Sequence, residues 1–175
     1  LAAGETLSVT VAGVTYTTDN GLSLSGNTWS LTLPEALVDG TYPVTATVTD
    51  AAGNTVSDAS SNELKIDATA PAVVPTVIAQ TTADTTPVIR GTATLAAGET
   101  LTVVVNGATY ENVTVTNGVW QIDTGTATPK TGTSLGTFVN GQTYSVSATA
   151  KDVLGNAVSD SSSDTLSANT MVSAT

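Results

Sequence analysis

The chain contains no cysteine and no histidine. Disulfides, thiol nucleophiles and Cys-based zinc sites are therefore excluded, and so are the usual catalytic triads. Bases are scarce: four Lys and Arg stand against fifteen Asp and Glu, for a net charge of −11 over 175 residues. That balance argues against nucleic acid and against an anionic membrane surface, both of which need Lys and Arg. It suits a soluble surface, and one that can take up divalent cations. No apolar run approaches the ~18 residues of a membrane span, so no membrane insertion is expected. No signal peptide is visible at Leu1, and the abrupt start reads as an excised piece of something longer. Long helix formers are few. Thr, Ser, Val, Ala and Gly dominate, and Thr and Val suit pleated, half-buried surfaces. No helix beyond a single turn is expected.

The most informative feature present is an internal duplication. Residues 1–16 (LAAGETLSVTVAGVTY) and 95–110 (LAAGETLTVVVNGATY) match at twelve of sixteen positions without a gap. Residues 42–67 and 144–169 match at thirteen of twenty-six. Repeats of this kind set the domain organisation before any motif is read. The chain divides into an incomplete copy, 1–67, and a complete copy, 68–175, which ends in a short tail (TMVSAT).

In the second copy, turn signals and alternation predict seven strands. Strand A is Val73–Ala79 and strand B is Pro87–Thr94. Strand C, Thr100–Val105, turns at Asn106-Gly107, a strong hairpin signal. A strand near Tyr110–Thr116 turns at Asn117-Gly118 into strand E, Val119–Asp123. A long polar loop, Thr124–Gln142, precedes strand F, Thr143–Lys151. Strand G is Ala157–Leu166. Seven short strands indicate an antiparallel β-sandwich, so the expected fold is all-β, with tandem immunoglobulin-like sandwiches. Trp120 and Tyr144 read as core anchors, Tyr144 in a tyrosine-corner position. Trp29 and Tyr42 repeat that pair in the first copy. Leu1 corresponds to Leu95, so the first copy lacks its two N-terminal strands, which would expose core and strand edges. Either the segment is cut at an arbitrary boundary, or the strands come from elsewhere, as by strand exchange with another chain.

Between the copies lies Asn62–Pro75, NELKIDATAPAVVP. It has two prolines and no glycine, so it is stiff rather than flexible. Asp67 sits at its middle.

The runs TATVTDAAGN (45–54), NELKIDATAP (62–71) and TTADTTPVIRGTATLAAGETLTVVVNG (81–107) together resemble the bacterial immunoglobulin-like repeats of giant RTX-type adhesins and biofilm-associated proteins, secreted by type I systems of Gram-negative bacteria. The resemblance covers nearly the whole chain. It implies extender repeats on the bacterial cell surface, whose partners are neighbouring repeats of the same polypeptide. It also implies calcium at the junctions, which stiffens the array.

Sandwich topology then selects the acids. The BC and FG turns lie at one pole and the AB, CD and EF loops at the other. A junction therefore offers Asp67 on the linker, Glu99 in the BC turn and Asp152 in the FG turn. Glu35 or Asp39 adds an acid from the first copy, and Asn156 or nearby carbonyls complete a shell. Calcium takes six to eight such oxygens, and magnesium suits the site less. Each acid has a plainer reading beside this one. Asp152 with Gly155-Asn156 makes a good turn without a metal, Asp67 caps a bend, and Glu99 is a solvated turn acid. Asp58 and Asp160 recur in matching VSD triplets and read as edge protection.

No glycine-rich phosphate loop is present, and the acids sit in turns of a fold without an obvious cleft. An enzyme is not expected. The expected function is that of a structural spacer stiffened by calcium. The alternative is an adhesion module that binds ligand through the loop 124–142, where Lys130 and Phe138 would touch the partner.

Overall fold

The computed structural model describes residues 1–58, 60–160 and 165–169. It is all-β, and it divides into two compact units, Leu1–Ala68 and Thr69–Thr175.

The first unit carries β1 (Thr6–Val11), β2 (Val14–Tyr16), β3 (Leu22–Ser25), β4 (Thr28–Leu31), β5 (Gly40–Tyr42), β6 (Val44–Thr49), β7 (Thr55–Ser57) and β8 (Leu64–Ile66). The four strands β2-β1-β6-β7 form one sheet, while β3-β4 and β5-β8 are separate antiparallel pairs. Alternation turns Val9 and Val11 inward, where they meet Tyr16 and Leu22 in a small core.

The second unit carries β9 (Thr76–Val77), β10 (Gln80–Thr82), β11 (Val88–Thr92), β12 (Thr100–Val105), β13 (Ala108–Tyr110), β14 (Val115–Thr116), β15 (Val119–Asp123), β16 (Thr143–Lys151), β17 (Ala157–Ser159) and β18 (Thr165–Ala168). One sheet runs β10-β18-β16-β12-β13, with β17 also on β16, and a second runs β14-β15-β11-β9. The core lies between them, with Leu101, Val103 and Val105 from one sheet against Ile89, Trp120 and Ile122 from the other.

Strands C, E and F appear with the expected bounds as β12, β15 and β16. Strand A does not. Only Thr76–Val77 of it is strand, as β9, which pairs with β11 in one sheet; β10 begins just past its expected end and pairs parallel to β18 in the other sheet. Of the predicted strand 110–116, Tyr110 is the last residue of β13, which pairs with β12, and Val115–Thr116 form β14, which pairs with β15. Both segments cross between sheets, and a break in pairing is needed where they cross. The middle of predicted strand G, 161–164, and the tail 170–175 lie outside the described residues.

Of the four aromatics expected as core anchors, Trp29 is the one left largely exposed. Trp120 is fully buried, but Trp29 is 41% exposed. In the second unit β15 is flanked by β14 and β11, whereas among the described residues β4 pairs with β3 alone. Tyr42 and Tyr144 do form tyrosine corners. The Tyr42 hydroxyl donates to the Val38 carbonyl at 2.9 Å, and the Val139 N–H donates to the Tyr144 hydroxyl at 2.8 Å.

Candidate functional site

The duplicated LAAGE turns and DxxGN turns meet at the ends of equivalent ladders. Thr100 pairs with Lys151 at the end of β12–β16, so Glu99 and Asp152 occupy the next cross-strand step. Thr6 pairs with Thr49 at the end of β1–β6, which places Glu5 and Asp50 in the same relation. The two turns of the second unit pack closely. Gly98, at φ +87°, sits where an added Cβ would be 3.0 Å from the Val153 side chain.

Each of these acids is committed to its own turn. Asp152 Oδ1 accepts the N–H groups of Leu154 (2.8 Å), Gly155 (2.7 Å) and Asn156 (3.0 Å), and Oδ2 accepts the Asn156 carboxamide (2.8 Å). Asp50 is held likewise by Ala52, Asn54 N–H and the Asn54 carboxamide. The carboxamide hydrogen bond, ahead of the backbone ones, holds both aspartates below their usual range. Glu99 Oε2 accepts the Ala96 N–H at 2.8 Å, and Glu5 repeats this with Ala2. The turn role of these residues is therefore built from donors already present.

At the end of the first unit the arrangement differs. Gly40 pairs with Ile66 on β5–β8, so Asp39 and Asp67 are the next cross-strand step. Asp39 Oδ1 accepts the Ala68 N–H at 2.7 Å. Asp39 thus caps the start of the linker, a role the sequence had assigned to Asp67. Glu35 is exposed in the loop between β4 and β5. Asp152 and Asn156 are engaged with each other, Glu99 with the Ala96 N–H and Asp39 with the Ala68 N–H. Among the described residues, no three His, Cys, Asp or Glu side chains gather as a metal-holding group. Carbonyls and water would have to complete any calcium shell there.

The loop 124–142 divides into two parts. Lys130 and Thr131 cover the edge of β13, with Lys130 N–H donating to Thr109 at 2.7 Å and Thr109 N–H donating to Thr131 at 2.9 Å. Between this crossing, β15 and residues 110–114 lies a cleft of about 980 Å³. Tyr110, Glu111, Asn112, Gln121, Asp123 and Lys130 are among its walls. Tyr110 is only 6% exposed, and its hydroxyl is buried without a hydrogen-bond partner. Phe138 does not face a partner. It is 4% exposed and packs edge-to-face on Tyr144, with ring centroids 4.5 Å apart. A single Phe in a Thr/Gly/Ser loop is better read as the anchor that pins the loop to the core.

Asp160, expected as edge protection, instead makes a specific contact within the unit. Asp160 Oδ2 accepts the Val77 N–H at 2.7 Å and so ties β9 to the end of β17. The recurrence of the VSD triplet was the available signal.

The architecture defines an antiparallel, immunoglobulin-like β-sandwich. Residues 2–68 match the family model of the bacterial Ig-like domain. No curated protein sequence shows significant similarity to the chain. Among solved structures, one similar chain is a 1.5-MDa bacterial ice-binding adhesin described for host cell surface retention. It shares 24% identity over 97% of this chain and 55% of that one, with a TM-score of 0.39. Another is the surface protein SGBP-B of the Bacteroides ovatus mixed-linkage glucan utilization locus, in complex with a mixed-linkage heptasaccharide. It shares 17% identity over 93% of this chain and 37% of that one, with a TM-score of 0.28. The chain thus spans about half of the first structure and about a third of the second.

Proposed function

We propose that the chain is a structural spacer: immunoglobulin-like extender units of a bacterial cell-surface adhesin, working outside the cell and stiffened by calcium at the linker. The doubling of one scaffold supports this reading most directly. The β1–β6 and β12–β16 ladders pair their equivalent residues in the same register, and each ends in the same pair of turn acids. A rod needs rigid units in series and no reacting group, so the chain is assigned no catalytic role. RTX-type secretion and a biofilm setting belong to the same proposal, through the resemblance of the repeats.

In this reading Asp67 and Asp39 hold the ion at the start of the linker, and Glu35 is a further acid four residues before Asp39. Calcium there offsets the repulsion of two adjacent carboxylates and ties Asp67 to β5. Without it the linker bends more freely. Small-angle scattering of the chain with calcium and then with chelator tests this. A fall in maximum dimension on chelation, absent in Asp67→Ala, is expected; an unchanged length in both would reject it.

The cleft beside Tyr110 favours one second reading, that of a ligand-binding adhesion module. An unpartnered buried hydroxyl, two carboxylates and two carboxamides around one cleft suit a hydroxyl-rich ligand such as a glycan. Binding on a glycan array that is lost in Gln121→Ala would favour this module over the spacer.

A further inference from the structure

The duplication isolates the cleft beside Tyr110. Tyr16 and Tyr110 hold the same place, paired with Val9 and Val103 at the ends of equivalent hairpins. Beyond Tyr16 the Asn20 side chain closes the next turn, accepting the Thr17 N–H and donating to the Thr15 carbonyl. Beyond Tyr110 the chain instead crosses to the other sheet through residues 111–114. The later connections differ too: 32–39 joins β4 to β5, and the longer 124–142 joins β15 to β16. The crossing and the long loop, which the first unit does not repeat, supply most of the cleft's walls.

These walls are fixed by the main chain. The Val113 N–H donates to the Leu101 carbonyl at 2.9 Å, which holds the crossing. The Asp123 carbonyl accepts the N–H groups of Thr126 (3.2 Å) and Ala127 (2.8 Å), which sets the start of the loop. Gly132 sits so close to Gly107 that an added Cβ would be 2.6 Å from its carbonyl oxygen. A cleft held in this way is formed before a ligand arrives, so binding has little to order.

The polar groups favour one kind of ligand. Alternation along β15 turns Gln121 and Asp123 outward on one face. Asp123 Oδ1 accepts the Gly125 N–H at 2.9 Å, and among the described residues Oδ2 has no partner. Glu111 is exposed and, among the described residues, its carboxylate has no partner either. Lys130 is the one base in the walls, so two carboxylates stand against one ammonium. The Tyr110 hydroxyl, buried and unpartnered, can still give or take a hydrogen bond. Two acids are too few for a calcium shell, and they repel an anion. A single ammonium on a hydroxyl-rich body suits the whole set, because carboxylates take the charge and carboxamides take the hydroxyls.

We propose that the cleft recognises an amino sugar through its free ammonium group. The proposal rests on the reading of the cleft as a glycan site and names the class of sugar. Glu111 and Asp123 hold the ammonium, while Asn112, Gln121 and Tyr110 hydrogen-bond the hydroxyls. Lys130 opposes the same charge and so limits the affinity.

The test titrates the full chain by isothermal calorimetry with a β-1,4-linked glucosamine trisaccharide, its fully N-acetylated form and cellotriose. The buffer is slightly acid, so that the free amine is protonated. The three sugars differ only in the substituent beside the anomeric carbon. The free amine is expected to bind, and the other two at least about ten-fold more weakly. Glu111→Gln and Asp123→Asn should each weaken it about ten-fold. Lys130→Gln should tighten it about three-fold. All three side chains are exposed, and Asp123→Asn keeps the acceptor of the Gly125 N–H. Asp19→Asn removes a charge from the first unit and should change nothing. Equal weakening in Asp19→Asn would trace the binding to net charge and overturn the proposal. Equal binding of the three sugars would overturn it and leave a glycan-binding cleft standing. No binding of any of them at millimolar concentration would overturn both.

Discussion

The Trp120 indole N–H donates to the Thr76 carbonyl at 3.1 Å, and this one bond joins β15 to β9 across the β11 strand that lies between them. β11 passes between these two strands only because position 91 is glycine. Indole, glycine and carbonyl form one packed set. Replacing Gly91 with Ala forces the new Cβ into backbone and ring together. We expect a loss of about 3 kcal/mol, at the upper end of overpacking costs, confined to the melting of the second unit by differential scanning calorimetry.

Trp120 and Trp29 should respond very differently to truncation. Trp120 is fully buried, and Trp120→Ala should cost about 3–5 kcal/mol. Trp29 is 41% exposed, and Trp29→Ala should cost about 1 kcal/mol. Urea denaturation of both variants checks this. Equal losses would show that Trp29 is covered in solution.

Acid should weaken the turns before it weakens the sheets. Asp50 and Asp152 are held below their usual value of 3.8, first by the carboxamides of Asn54 and Asn156. Glu63 is held below 4.5, first by the Val44 N–H. A folded value below the unfolded one means that the stabilisation is complete above the usual value. It is lost as pH falls below 4.5 for Glu63 and below 3.8 for the aspartates, toward their lower folded values. The urea midpoint should therefore decline below about pH 4.5, and Asp152→Asn should flatten part of that decline.

The tyrosine corners offer a paired measurement. Tyr144→Phe removes the acceptor of the Val139 N–H, and Tyr42→Phe removes the donor to the Val38 carbonyl. Each should cost about 1 kcal/mol by denaturant titration. Tyr144→Phe should also loosen residues 138–142 in hydrogen exchange, because Phe138 is stacked on the ring that is otherwise held.

Asp39→Ala removes the acceptor of the Ala68 N–H. Exchange of that amide should rise by roughly ten-fold, equivalent to about 1.4 kcal/mol. Asp67→Ala should leave it protected. If both variants release the amide equally, the two carboxylates act as one unit at the linker.

Much of this was legible in the sequence. Asn106-Gly107 and Asn117-Gly118 fix two-residue hairpins, so β12 and β15 take their expected bounds. Asn106 and Asn117 both take positive φ, as such turns require. Sandwich topology put the turns of Glu99 and Asp152 at one pole, and the register sets the two residues across from each other. What was not legible is where strands change sheet. β9 lies in the expected strand A and β10 starts three residues after β9 ends, yet their partners, β11 and β18, stand on opposite layers. Local alternation carries no information about partners distant in sequence. Phe138 is a loop residue, and its loop has no periodicity to show that its ring turns inward onto Tyr144 at the start of β16.

The sequence by itself determined the all-β class, the duplication, the hairpins and the acid-bearing turns. These depend on neighbours a few residues apart and on period-two patterning, which a linear reading captures. Tertiary structure decided what each residue does. It spent Asp152 and Asn156 on each other, set Asp39 opposite Asp67, buried Trp120 and left Trp29 open. Trp29 and Trp120 belong to equivalent hairpins, and their own turns treat them alike. Their difference lies in strands elsewhere in the chain, because burial is set by what packs on a side chain and not by the residues beside it.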